Sequence, residues 1–60
     1  MLFRVFRDER EGRWVVLVGD RHYGEYLDKE EAVLDAIDAA QEARAAGGEA
    51  EVWDAALRLY

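Results

Sequence analysis

Hydrophobic and polar positions alternate with a period of two over residues 2–7, 14–18 and 23–27, shift to a period near 3.6 across 28–48, and return to two over 49–53. Those changes of period predict three strands, one long helix and a fourth strand, an α+β arrangement with the helix on one face of the sheet. In the first strand Phe3 and Val5 share one side, while Leu2, Arg4 and Phe6 share the other. The second strand is apolar on both sides, Trp14, Val16 and Val18 against Val15 and Leu17, so it is expected at the sheet centre and calls for cover on both faces. A charged turn over 8–12 closed by Gly12, and a second turn over 19–22, join the three into an antiparallel meander. After the helix, Ala50 and Val52 alternate with Glu49, Glu51 and Trp53, a length and alternation that suit a sheet edge. Pattern alone leaves open whether 57–60 adds a further strand.

The helix has a start signal and a stop signal. Asp28 is an N-cap type, with Glu31 three positions on to complete a capping box. Gly47 and Gly48 supply the positive φ of a C-terminal cap. Between them Val33, Ala36, Ile37 and Ala40 follow the i, i+3, i+4, i+7 template and form a thin apolar face. Glu31, Asp35, Asp38 and Glu42 fall together on the opposite side as an acidic stripe, with Leu34 beside it and expected to stay partly wet in a monomer. Like charges four apart cost a few tenths of a kcal/mol per pair, so the stripe does not stabilise the helix.

Sixty residues form a single domain, 1–60. A chain of this size buries only ~60% of the surface its unfolded form exposes. It has no cysteine and one histidine, which removes disulfide and zinc staples and leaves oligomerisation. Apolar residues make up 52% of the chain, too many for disorder even at a net charge of −6. No apolar run approaches the ~20 residues of a membrane span. Arg4 and Arg7 interrupt what a signal peptide would need, so a cytoplasmic, membrane-free protein is expected. Serine, threonine, asparagine and proline are absent and alanine, arginine, glutamate and valine abundant, a bias resembling GC-rich bacterial or phage genomes.

Charge is unevenly spread. Residues 1–13 carry net +1, 14–27 net −1, 28–46 net −4 and 47–60 net −2. Without Ser, Thr or Cys no nucleophile of the triad type exists, and no catalytic residue, cofactor or metal site is assigned. His22 near Asp20 is a polar turn histidine, because zinc needs three or four ligands and no second His or Cys is present. Arg4, Arg7, Arg10 and Arg13 interleave with Phe3, Phe6 and Trp14, a composition that grips single-stranded nucleic acid. Asp8, Glu9 and Glu11 dilute that patch and the overall charge repels phosphate, so nucleic acid ranks third as a partner. The surplus of large side chains favours a protein partner instead. Phe6, Trp14, Tyr26 and Trp53 are the candidate dimer or sheet-face residues, with a homodimer formed through the helix-free face or the last strand. The acidic stripe suggests a second mode, in which Glu31, Leu34, Asp35, Asp38 and Glu42 occupy a basic groove on another protein as a nucleic-acid mimic.

The segments Gly12-Arg13-Trp14-Val15-Val16, Gly24-Glu25-Tyr26-Leu27, Asp28-Lys29-Glu30-Glu31-Ala32 and Gly47-Gly48 together resemble the HicB-like group of small β-β-β-α-β domains. These include solitary bacterial or phage domains of unknown function and have a partial double-stranded-RNA-binding-domain-like fold. The resemblance implies a non-enzymatic, antitoxin-like module that masks a partner protein, without the appended DNA-binding module of HicB-type antitoxins. The proline-glycine segment typical of those antitoxins is missing, as is the glycine turn that follows the last strand in the uncharacterised relatives.

Overall fold

A computed structural model describes all 60 residues. Strands β1 (Leu2–Asp8), β2 (Arg13–Val18) and β3 (Arg21–Tyr26) lead into helix α1 (Lys29–Ala45), which is followed by β4 (Glu51–Asp54) and the two-residue β5 (Leu57–Arg58). All five strands join one sheet in the order β3-β2-β1-β4-β5. β1 pairs antiparallel with β2 and parallel with β4. Parallel pairing needs a crossover, and α1 supplies it by running across one face of the sheet.

That crossover puts β1, not the more apolar β2, at the middle of the sheet. Nor is β4 an open edge. Its outer side carries β5 and then the tail, with Leu59 and Tyr60 N–H groups donating to the Val52 carbonyl and the Val52 N–H donating to Tyr60. The chain thus covers the last strand itself. β3 is the free edge, and it is irregular. Val16 faces Gly24 but Leu17 faces His22, so Tyr23 is an extra residue in a bulge, a device that discourages further strand addition. His22, expected in a turn, is the second residue of this strand.

The core is small. Phe3 and Val5 of β1, Val16 of β2, Val52 of β4 and Ala50 are buried against Ala32, Ala36 and Ala40 of α1. The helix therefore seats on an i, i+4, i+8 line of alanines, rotated from the expected line of Val33, Ala36, Ile37 and Ala40. Alanine lets the helix backbone approach the sheet, and Phe3 and the valines rising from the strands fill the space. Val33 and Ile37 are half-buried on the flank they share with Arg44, where Leu59 and Tyr60 also pack against the core.

The two helix ends differ. Asp28 has the extended backbone of an N-cap, φ −117° and ψ 142°, yet its carboxylate makes no capping hydrogen bond. The first turn is exposed, so water can satisfy its N–H groups and the capping box is not needed. At the other end Gly47 takes φ 92°, its N–H donating to Arg44, while the Gly48 N–H donates to Ala43. These two bonds make the Schellman closure that the glycine pair predicts.

Candidate functional site

The strand registers decide which side chains share the helix-free face. Phe3 and Val52 are partners and both lie in the core, so the next pair, Arg4 and Trp53, stands on the opposite side. The same alternation adds Leu2 and Phe6 on β1, Arg13, Val15 and Leu17 on β2, His22 and Glu25 on β3, and Glu51 and Arg58 beside Trp53. Val15 is buried by its neighbours, Leu17 and Trp53 are half-buried, and Leu2 and Phe6 are 38% and 42% exposed. The helix lies on the other side, so this apolar surface has no layer of the chain above it.

Its polar groups are arranged around that surface. The Trp53 indole N–H donates to Glu51 Oε1 at 2.6 Å, which holds the carboxylate in one orientation. Arg58 Nη1 approaches the other oxygen of Glu51 only to 3.8 Å. On the far flank, Glu25 lies 3.8 Å from Arg13 Nη1 and 3.3 Å from His22 Nε2. Arg4, on the middle strand, has no carboxylate within ion-pair distance.

Phe6 and Trp53 belong to this face, whereas Trp14 and Tyr26 do not. Trp14 and Tyr26 pack against the core under the helix, and the Lys29 ammonium sits 5.4 Å from the centre of the Trp14 ring. Burial, and secondarily the nearby Asp35 carboxylate, pushes the Tyr26 phenol up to about 12.

Glu31, Asp35, Asp38 and Glu42 are all exposed, and none forms a salt bridge. They run along the flank of α1 that faces β3, where Asp35 lies near Tyr26 and Glu42 shares a shallow groove with Arg21 and Tyr23. Leu34, at the edge of this stripe, is 59% exposed. The hairpin arginines do not form one patch. Arg4 and Arg13 face away from the helix, Arg7 faces the helix side opposite Trp14, and Arg10 is in the turn, where its backbone N–H donates to the Asp8 carboxylate.

Sequence reasoning did not single out Leu2, Leu17 or Glu51 as sheet-face residues, and it read Arg4 only as one of the hairpin arginines. Alternation showed which side of each strand they occupy, but aligning β1 with β4 requires the parallel pairing, which no local pattern encodes. No helix is long and apolar enough to cross a membrane. In comparisons with known proteins, no family model, curated protein or solved structure matches the chain.

Proposed function

We propose that the chain is a non-enzymatic protein–protein interaction module that self-associates through its helix-free sheet face. The observation that carries this reading is the helix-free face on which Leu2, Phe6, Leu17 and Trp53 surround Arg4 and keep exposed or half-exposed apolar surface with no helix packed over it. The molecule measures 36 × 19 × 19 Å, so one full face approaches the ~800 Å² per partner of a standard interface. The outer edge of β4 is taken by the tail, which leaves the sheet face as the dimer surface of the two considered. The HicB-like resemblance supports a binding role of the same kind.

Sedimentation equilibrium at high micromolar concentration tests this reading. The wild type sediments as a dimer and Phe6→Glu as a folded monomer; a wild type that stays monomeric overturns it.

The acidic stripe supports a second reading, a small acidic inhibitor of a basic groove, because its four carboxylates are exposed and unpaired. Reversing Asp35 and Asp38 to lysine abolishes capture of a partner that docks there and leaves sheet-face association intact. Steep weakening by salt accompanies the stripe mode.

A further inference from the structure

We infer that the partner on the helix-free face is a second copy of this chain, related by a two-fold axis that sets Arg4 of each copy against Glu51 of the other. This inference rests on the self-association proposed above and adds its polar register.

The argument starts from Arg4. It is on the middle strand of the sheet, flanked on its own face by Leu2 and Phe6 along the strand and by Leu17 and Trp53 across it. On that face Arg13 and His22 lie near Glu25 and Arg58 near Glu51, while Asp8, at the hairpin end opposite Arg13, forms no salt bridge. Arg4 has none. A layer that covers this face removes the Arg4 guanidinium from water, and a buried unpaired cation is strongly unfavourable. A partner that brings an anion to Arg4 is therefore favoured over one that does not.

The face itself carries a suitable anion. Glu51 is oriented by the Trp53 indole through one oxygen, and its other oxygen has only a 3.8 Å approach from Arg58, so it can accept a closer guanidinium. Glu51 and Arg4 stand on neighbouring strands, with Leu2 opposite Glu51 and Arg4 opposite Trp53. A two-fold axis through the midpoint between them brings Arg4 against the partner's Glu51 and Glu51 against the partner's Arg4 in one operation, the self-complementarity that an isologous interface needs. An axis through Arg4 itself would stack two guanidinium groups. Arg4 and Glu51 are diagonal neighbours ~7–8 Å apart, so the axis lies ~4 Å from each and most of the apolar surface still overlaps.

The test is a charge swap read by sedimentation equilibrium, with circular dichroism confirming that each variant is folded. Arg4→Glu and Glu51→Arg each break both symmetry-related pairs and weaken the dimer ~30-fold or more. The double variant Arg4→Glu/Glu51→Arg restores it. A wild-type dimer that is indifferent to the single substitutions, or single losses that the double variant fails to rescue, overturns the Arg4–Glu51 register while leaving self-association standing. A monomeric wild type overturns both. Arg4-dependent binding of a labelled single-stranded oligoribonucleotide by the monomer overturns the register in favour of a phosphate as the anion.

Discussion

Tyr26 folds back over Gly24, leaving its hydroxyl oxygen only 2.6 Å from the place a β-carbon at position 24 would take. The constraint at position 24 is one of space and not of backbone conformation, because a β-carbon fits only if the Tyr26 ring shifts. The ring covers a backbone position on the free edge strand that has no side chain of its own. Gly24→Ala displaces the ring. It is expected to cost about 1–3 kcal/mol, the range for overpacking a tight contact, as measured by urea denaturation.

Burial of the Tyr26 phenol sets a pH dependence. The folded pKa of Tyr26, about 12, lies above the ordinary tyrosine value of 10.0 of the unfolded chain. The neutral phenol is thus favoured by folding, so this contribution is fully present below pH 10.0 and is lost as pH rises through about 12. Tyrosinate absorbance should show a late titration step that Tyr26→Phe removes. A titration in which Tyr26→Phe deletes an ordinary step instead overturns the burial of the phenol.

The helix caps make opposite predictions for two residues that look equally diagnostic in sequence. Asp28 makes no side-chain capping bond, so Asp28→Ala should change stability by less than ~0.5 kcal/mol, against the ~1 kcal/mol of a working cap. Gly47, at φ 92°, closes the helix, and Gly47→Ala should cost about 1 kcal/mol or more. Thermal unfolding of the two variants side by side checks the order.

Arg44 holds the tail in place. Its guanidinium carbon lies 4.1 Å from the centre of the Tyr60 ring, and its Nε donates to the Ala50 carbonyl at 2.9 Å. Tyr60→Ala should lose about 0.5–2 kcal/mol and speed amide exchange at Val52, Leu59 and residue 60 selectively, because these N–H groups belong to the bonds that cover β4. Uniform acceleration across the sheet would show that the tail is no separate unit.

The core has little redundancy. Four large side chains, Phe3, Val5, Val16 and Val52, are fully buried. Phe3→Ala should cost about 3–5 kcal/mol, comparable with the ~3–9 kcal/mol expected of the whole domain, and leave the monomer largely unfolded by circular dichroism. The Lys29–Asp54 pair, 2.6 Å apart with both side chains partly exposed, should contribute under ~1 kcal/mol in a double-mutant cycle despite its short distance.

What the chain encodes locally was legible in it. Period-two runs marked β1, β2, β3 and β4, a period near 3.6 marked α1, and Gly47-Gly48 marked its end, because each signal lies within a few residues of the backbone it controls. Exposure of Glu31, Asp35, Asp38 and Glu42 followed from helical geometry alone. Tertiary structure decided the rest. The parallel β1–β4 pair joins residues some fifty positions apart, and only that pairing gathers Leu2, Arg4, Glu51 and Trp53 on one face while the helix covers Trp14 and Tyr26 on the other. The close approach of α1 to the sheet likewise selected Ala32, Ala36 and Ala40 over the larger Val33 and Ile37, a choice set by the space between two packed layers, which no single strand or helix specifies by itself.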